Sequence, residues 1–300
     1  MKVRQIEAFR AVVDAGGITP AAERLRISQP AVSKLIMDLE RAAGLELFIR
    51  HKGRLIATHE ARLLYEEVDR LFLGLHRIDR YANDLRNLKT GSIHLACLPS
   101  LGLRILPELI ARFVMEKPDA KITAHIRASS KITDWLLGQQ MDLGISMLPL
   151  DHPSVVTESL VKVDAVCVVH PTHALANRAF VTPADLQDEP FIALGREDRS
   201  GQLIGRTFEE AAAKVKVKLE TNLSETACQM VASNAGVSIV DPFTTMHYRP
   251  DRLAVLPFRP SIKFELFLLY PALRPRSKLL DSFIDALGEE IGRLASAIKS

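Results

Sequence analysis

Strand and helix patterns alternate along the chain from residue 92 onward. Short β-branched runs alternate with amphipathic stretches, which is typical of parallel sheets covered by helices in an α/β fold. The pattern pauses near 155–165 and 257–264, which predicts two lobes joined by two crossing strands, with a cleft between them. We therefore expect one two-lobed domain over 91–300, with lobe I at 91–163 plus 266–300 and lobe II at 164–265. The predicted strands are 92–98, 121–127, 142–147, 165–170, 191–194, 215–220, 237–240 and 264–270, and the predicted helices are 103–116, 131–139, 207–214, 226–234 and 278–298.

A heptad repeat of apolar residues, which we call the seam, precedes the α/β region. Its spacing predicts one long helix over 58–89, capped by Thr58, whose apolar stripe pairs with a second long helix to form a dimer. The alternative is a helix that lies on the core of its own domain. The residues assigned to dimerisation are Leu64, Val68, Leu71, Leu75 and Ile78.

The first 60 residues predict a small all-α domain with a β-wing. Apolar spacing predicts helices over 3–15, from about 20 to 25, and over 29–42. We expect Thr19 to cap the second helix and Ser28 the third, with a tight turn between these helices. A basic turn over 51–54 separates two short strands. This order, a helix–turn–helix followed by a wing, suits a DNA-reading domain.

Positive charge concentrates in the same part of the chain. The whole chain has 39 Lys and Arg against 36 Asp and Glu, a net charge of +3. Residues 1–90 contribute +4 (16 against 12), and residues 91–300 contribute −1 (23 against 24). This asymmetry favours a polyanionic partner for the first domain.

The third helix presents polar residues opposite its buried stripe. Gln29, Ser33 and Lys34 suit base edges in a major groove, and the hydroxyl and cationic residues around them suit backbone phosphates. The alternative is a solvated polar face on a three-helix domain. The predicted contacts to double-stranded DNA are Thr19, Ser28, Gln29, Pro30, Ser33, Lys34, Arg50, His51, Lys52 and Arg54.

Catalytic and metal-binding motifs are absent from the sequence. It contains no GxSxG, P-loop, HExxH or GxGxxG after a strand, so we expect no enzyme activity, no metal and no cofactor. The three cysteines are far apart, which predicts buried thiols in a reducing cytoplasm. The first residues lack a signal-peptide pattern, and no apolar run is long enough to span a membrane. We therefore expect a cytoplasmic protein without membrane contact.

The first 50 residues resemble the signature of LysR-type transcriptional regulators. The resemblance implies a winged helix–turn–helix, a dimerising linker helix and a two-lobed effector-binding domain like that of periplasmic binding proteins. It also implies homotetramers that bend promoter DNA and change their contacts with RNA polymerase when a small molecule binds. Ala57 and Ala61 depart from the family's usual Leu and Gly. The residues that carry the resemblance are Ala21-Ala22-Glu23-Arg24-Leu25, Ser28-Gln29-Pro30-Ala31-Val32-Ser33, Leu39-Glu40, Gly44 and Leu47-Phe48-Ile49-Arg50.

The predicted effector site lies beyond the carboxyl ends of strands, where open α/β sheets bind ligands. Ser129 and Ser130 are expected at a helix start, where free N–H groups favour an anion, although plain helix capping is the alternative for Ser129. Glu197 or Glu225 is a candidate partner for an ammonium. Residues 4–12 and Asp241-Pro242 resemble the branch that senses amino acids and opines, which implies an amino acid or related carboxylate. The predicted effector contacts are Ser100, Ser129, Ser130, Met147, Pro149, Glu197, Glu225 and Thr226.

Two other functions stay open on the sequence alone. One is a solute-binding module of the periplasmic type without a DNA role, which the DNA-reading first domain argues against. The other is an enzyme with a regulatory helix–turn–helix, which turnover of a bound small molecule would reveal.

Overall fold

The computed structural model describes residues 1–51, 54–65, 67–69, 71–72, 91–196 and 198–299, of which residues 50, 51, 54 and 299 are described by their backbone alone. The chain forms two compact units, Met1–Ala82 and Asn83–Ser300. Each unit is built around its own hydrophobic core. Within the described ranges, no helix is both long and apolar enough to cross a membrane.

Three helices and a two-stranded wing form most of the first unit. They are α1 (Val3–Ala15), α2 (Ile18–Leu25), α3 (Gln29–Ala43), β1 (Phe48–His51) and β2 (Arg54–Ala57), with β1 antiparallel to β2. The apolar stripes of the helices meet in a core that buries Phe9, Val32 and Leu39. Phe9 also contacts the wing, because its ring meets that of Phe48 edge-on at a centroid distance of 5.8 Å.

A left-handed residue and two N-cap residues set the boundaries of α2 and α3. Arg26 adopts a left-handed φ of 54° between them, and its N–H bonds back to carbonyls of α2. Ser28 is the N-cap of α3 as predicted, although its hydroxyl makes no capping hydrogen bond. The prediction for Thr19 is wrong, because Gly17 is the N-cap of α2 and Thr19 lies inside the helix. The earlier start lets Ile18 pack on the core.

Residues 59–65, 67–69 and 71–72 are helical and belong to α4. Thr58 caps this helix, since its hydroxyl accepts a hydrogen bond from the Ala61 N–H at 3.1 Å. Val68 is only 5% exposed and packs in the core of its own unit, with Leu64 against the same core. This corrects the assignment of Val68 to a dimer seam. Leu71 is 46% exposed, and Leu75 and Ile78 lie outside the described residues.

Lobe I of the second unit combines its first and last residues and is built on a five-stranded sheet. Its strands are β3 (Ser92–Cys97), β4 (Lys121–Ile126), β5 (Leu143–Ser146), β6 (Val155–Asp164) and β12 (Lys263–Pro271), in the spatial order β4–β3–β5–β12–β6. β3 pairs parallel with β4 and β5, whereas β12 is antiparallel to β5 and β6. The helices of lobe I are α5 (Pro99–Gly102), α6 (Ile105–Glu116), α7 (Ser129–Leu137) and α11 (Lys278–Lys299).

Residues 165–262 form lobe II. Its strands are β7 (Val166–Val169), β8 (Pro190–Leu194), β9 (Lys216–Thr221), β10 (Ser238–Val240) and β11 (Ala254–Pro257), and its helices are α8 (Arg199–Glu210), α9 (Ser224–Ala232) and α10 (Pro242–Thr245). β7 lies between β10 and β11, and β8 pairs parallel with β9. A bridge between Phe191 and Val237 connects the two groups of strands.

The chain passes between the lobes at the ends of β6 and β12. These strands pair from Asp164 opposite Lys263 to Val155 opposite Pro271. Directly beyond this ladder, the Ala165 N–H donates to the Ile262 carbonyl at 2.9 Å. The two crossings are therefore adjacent, so the chain leaves lobe I and returns to it at the same place.

Several elements of the second unit differ from the sequence prediction, which lacks α5, α10 and β11. The pause near 155–165 is the ten-residue strand β6, which is held by its long antiparallel pairing with β12. α8 begins at Arg199 rather than Thr207, and it buries Ile204 and Phe208. Two glycines, Gly201 and Gly205, obscured the helical pattern of its first turns.

Candidate functional site

α3 carries an exposed polar face opposite its buried stripe. Gln29, Pro30 and Lys34 are exposed, and Ser33 is half-buried at the edge of the same face. The first turn of α3 contains no acidic residue, so the positive end of the helix dipole is available to an anion such as phosphate. The predicted contacts Thr19 and Ser28 are also exposed, next to this helix start in the sequence.

The wing has the predicted backbone, with His51 opposite Arg54 in the β1–β2 ladder. The side chains of Arg50, His51 and Arg54, and all of Lys52, lie outside the described residues. Their contacts with phosphate therefore stay predictions.

A cleft of about 720 Å³ lies between lobe I and lobe II. Its volume is within the range of about 300–1,000 Å³ that is usual for small-molecule sites. Lobe I contributes the end of β4 and the start of α7, and lobe II contributes the segments that precede α8 and α9. The lining residues are Pro99, Ile126, Arg127, Ala128, Ser129, Ser130, Leu148, Gly195, Asp198, Arg199, Glu220, Thr221, Asn222 and Leu223.

The start of α7 forms one wall of this cleft. Ala128 is the N-cap, so the expectation that Ser129 caps the helix is wrong. Ser129 is buried instead, and its Oγ accepts a hydrogen bond from the Met147 N–H at 3.0 Å. Ser130 is exposed and lines the cleft. Because α7 has neither a side-chain cap nor an acid in its first turn, its positive end is not neutralised.

Glu225 takes part in an ion pair that connects the two lobes. The Arg104 guanidinium donates to its Oε1 at 3.0 Å, and the Tyr248 hydroxyl donates to the same oxygen at 3.1 Å. Burial and the nearby Glu225 carboxylate raise the pKa of the Tyr248 hydroxyl. Glu225 is therefore engaged within the protein, and it lines neither the cleft nor the smaller pocket beside it. Its role as an ammonium partner stays a prediction.

The remaining predicted effector residues have different positions. Ser100 and Met147 line a smaller pocket of about 30 Å³ that adjoins the cleft. Pro149 and Thr226 are outside the lining of both cavities. Leu148 lines the cleft, whereas Pro149 does not. Glu197 lies outside the described residues.

The smaller pocket is also lined by Asp198 and Asn222, which were not predicted from the sequence, and by Asp241, which was named only for its resemblance to a branch of the family. Asp198 is the N-cap of α8. Burial raises its pKa, and the neighbouring N–H groups of Ser200 and Arg199 act in the opposite direction. An acid directly before a helix is a usual start signal, but it was missed because α8 was predicted to begin at Thr207.

The start of α8 packs tightly on the end of β8. A Cβ atom at Gly201 would lie 2.3 Å from the carbonyl oxygen of Gly195 and 2.4 Å from that of Leu194. The Asp198 N–H also donates to the Gly195 carbonyl at 3.1 Å. Only glycine fits at position 201, and the turn that carries Asp198 is held in place by backbone contacts.

The cysteines are not part of either site. Cys97, Cys167 and Cys228 are buried and free, as predicted. Burial raises the pKa of each thiol, for Cys167 to about 12. Among the described residues, no group of three His, Cys, Asp or Glu side chains is arranged to hold a metal ion.

Two sequence families match the chain, one for each unit. Residues 3–62 match the bacterial regulatory helix-turn-helix protein, lysR family, and residues 86–292 match the LysR substrate binding domain. The chain belongs to the LysR family. These matches confirm the resemblance found in the sequence. LysR-family proteins are DNA-binding transcriptional regulators rather than enzymes.

Individual LysR-family proteins match over most of their length. The chain is 35% identical to the transcriptional activator protein LysR of Escherichia coli (strain K12) over 298 residues, which cover 99% of this chain and 96% of that protein. It is 34% identical to the octopine catabolism/uptake operon regulatory protein OccR of Rhizobium meliloti over 260 residues, 86% and 85% of the two chains.

The fold of LysR-family regulators is also known from crystal structures. The crystal structure of CbnR, a LysR family transcriptional regulator, matches with a TM-score of 0.70 at 20% identity and covers 97% of this chain and 99% of that chain. Full-length CbnR has also been crystallised with its target DNA. The likeness confirms the predicted combination of an N-terminal helix–turn–helix domain with a two-lobed α/β domain.

Proposed function

We propose that an amino acid or a related carboxylate, bound in the cleft between the lobes, controls how this LysR-family regulator acts on promoter DNA. The observation that carries this proposal is a contrast among the helix starts around the cleft. Asp198 is the N-cap residue of α8 and Glu225 lies in the first turn of α9, whereas α7 has Ala128 at its N-cap and no acid in its first turn. The free N–H groups and the dipole of α7 favour a carboxylate there. The relative OccR is named for an octopine operon, and octopine is an amino-acid derivative.

Ser130 and Ser129 should respond differently to replacement by Ala. Ser130→Ala removes an exposed hydroxyl at the start of α7, so we expect about tenfold weaker binding of the carboxylate, about 1.4 kcal/mol, with stability unchanged. Ser129→Ala leaves the buried Met147 N–H without its acceptor, which should lower stability by about 1–3 kcal/mol.

A thermal-shift screen of amino acids and small carboxylates on the full chain identifies the ligand for this test. Calorimetric titration then compares the wild type with Ser130→Ala, and denaturant unfolding compares the wild type with Ser129→Ala. Equal affinity of wild type and Ser130→Ala for the identified carboxylate would mean that it binds away from α7.

We propose that α3 reads the operator, with Gln29, Ser33 and Lys34 at base edges. Thr19, Ser28 and Pro30 then lie at the edge of the groove, and the wing residues Arg50, His51, Lys52 and Arg54 meet phosphates. The support is the exposed face of α3 with its uncompensated positive end. Binding of this kind depends strongly on salt.

Lys34→Ala should separate two modes of contact. If Lys34 meets a phosphate, the slope of log affinity against log salt should flatten by about one unit, uniformly across DNA sequences. If it reads guanine, discrimination at one base pair should fall by about 1–3 kcal/mol. Fluorescence anisotropy with footprinted DNA at several salt concentrations measures both. An unchanged affinity and slope would remove Lys34 from the interface.

We further propose that the regulator acts as a homodimer that pairs into a homotetramer on DNA. The exposed Leu71 and the predicted seam residues Leu75 and Ile78 supply the contact between long helices. Ligand binding then changes subunit angles, the bend of the DNA and contacts with RNA polymerase. Its action belongs in the cytoplasm, because that compartment holds the promoter DNA.

A further inference from the structure

A small pocket adjoins the cleft at the contact between the two lobes. It has a volume of about 30 Å³. The hydroxyl of Ser200 in lobe II donates to the Met147 Sδ of lobe I at 3.3 Å, so side chains of both lobes meet at its wall. The residues that line both the pocket and the cleft are Pro99, Ser129, Asp198, Asn222 and Leu223.

The size of the pocket suits a single small polar group. Roughly 10–15 Å³ of cavity volume is enough for one water molecule, so this pocket accepts a group of similar size. The main body of a metabolite must then lie in the adjoining cleft of about 720 Å³. The pocket is therefore a subsite at the side of a larger site.

The walls of the pocket favour a positive charge. Two carboxylates line it, Asp198 and Asp241, together with the hydroxyls of Ser100, Ser200 and Ser224. Two carboxylates beside so small a pocket disfavour the binding of a ligand carboxylate there, because like charges repel strongly where water is scarce. An ammonium group brings one positive charge and three hydrogen-bond donors.

The two carboxylates differ in the hydrogen bonds that they accept from the protein. Asp241 is buried, and it accepts hydrogen bonds from the N–H and hydroxyl of Thr244 at 2.8 and 2.9 Å and from the Ser224 side chain. No hydrogen bond to the Asp198 side chain caps α8, and the neighbouring N–H groups of Ser200 and Arg199 act only to lower its pKa. Since an ionised carboxylate has about four acceptor positions, Asp198 retains room for a ligand donor. Burial raises the pKa of Asp198, and a bound cation would favour its ionised form.

We propose that this pocket binds the ammonium group of the effector, with Asp198 as its ion-pair partner, so that the effector is an α-amino acid rather than a carboxylate without an amine. The inference rests on the proposed function, in which the ligand carboxylate binds at the start of α7. Ser129 lines both cavities, so the two subsites adjoin, as a carboxylate and an ammonium on one carbon require. The ligand side chain then extends into the cleft.

The test compares ligands that differ only in the amine. Each standard L-amino acid is paired with the 2-hydroxy acid that has the same side chain, such as alanine with lactate, aspartate with malate and phenylalanine with phenyllactate. Calorimetric titration of the full chain measures both members. For the pair that binds, we expect the amino acid to bind at least about 100-fold more tightly, because the hydroxy acid leaves a desolvated carboxylate without its cation.

Asp198→Asn tests which residue causes that preference. Asn is as good an N-cap as Asp, so α8 keeps its start while the pocket loses a charge. We expect the preference for the amino acid to fall below about tenfold, with the affinity for the hydroxy acid nearly unchanged. Glu220→Gln is the matched control, because it removes a negative charge from the cleft wall but not from the pocket. That variant should keep the wild-type preference.

The outcomes separate this inference from the proposed function. If the wild type binds a hydroxy acid as tightly as its amino acid, the ammonium pocket is wrong and the carboxylate site at α7 stands. If Asp198→Asn retains the full preference, or Glu220→Gln loses it equally, Asp198 is not the partner. If no member of any pair binds, the proposed effector class and the pocket both fall.

Discussion

Leu71→Asp should give a folded protein that no longer dimerises, whereas Val68→Asp should give a DNA-binding domain that does not fold. Val68 is 5% exposed in the core of the first unit, and Leu71, three residues further along α4, is 46% exposed. A charge at position 68 would be buried without a partner, which costs several kcal/mol of a total stability of about 5–15 kcal/mol. At position 71 the charge meets water in the monomer and an apolar seam only in the dimer.

Sedimentation equilibrium and circular dichroism distinguish these outcomes. Loss of the dimer also removes the gain from two linked recognition helices, so operator affinity of Leu71→Asp should fall by about 10²–10⁴-fold. Arg62→Asp is the control, since Arg62 is an exposed residue of the same helix and its replacement should preserve fold and assembly. A Leu71→Asp protein that sediments as an intact dimer would mean that the subunits meet through another surface.

Gly201→Ala should destabilise the second unit by about 3 kcal/mol and abolish effector binding. The added methyl group would overlap two backbone carbonyl oxygens, at 2.3 and 2.4 Å. Backbone atoms cannot rotate away as a flexible side chain does, so the cost lies at the upper end of the range for overpacking. The start of α8 must shift, and Asp198 moves with it. DNA binding by the first unit should remain.

Gly292→Ala is the matched control for this variant. Gly292 lies in α11, and nothing comes within 4 Å of an added Cβ there. Because alanine is the better helix former, stability should rise by about 0.5–1 kcal/mol. Differential scanning calorimetry of the full chains measures both changes. A Gly201→Ala protein with wild-type unfolding and effector affinity would contradict the tight packing of α8 on β8.

Local signals in the sequence predicted the elements that local interactions determine. The helix Val3–Ala15 was predicted with both of its ends, because its apolar spacing stops at two glycines. The start of α3 was predicted from Ser28 and Pro30, which suit the boundary of a helix. The wing was predicted from two short apolar runs around a basic turn. In each case the relevant contacts lie within a few residues.

Two of the errors arose where distant parts of the chain decide the structure. β6 is a strand because β12 pairs with it, although about 100 residues separate them in sequence. The heptad pattern showed that Val68 faces an apolar surface, but not that this surface belongs to its own domain. Spacing alone does not distinguish an intramolecular core from a partner helix.

Contacts between distant residues also explain why Asp198 lines the cleft and Glu225 does not. Glu225 was selected because it opens a helix near the cleft, yet Arg104, more than 100 residues earlier, binds it. Asp198 directly follows the predicted residue Glu197, and it is the N-cap of α8 because this helix begins at Arg199. Which acid is free and which is paired depends on contacts between the lobes, and no local pattern encodes them.

Lobe II is an insert whose two ends are joined. The Ala165 N–H and the Ile262 carbonyl close it with a hydrogen bond of 2.9 Å, so residues 165–262 can be exchanged for the same segment of a relative without lengthening or redirecting lobe I. Asp198 and Asn222 belong to this insert, whereas Ser130 and α7 do not. If the proposed function holds, a single transfer of this segment would therefore change which inducer is recognised, while α3 and the proposed carboxylate site at α7 are inherited unchanged.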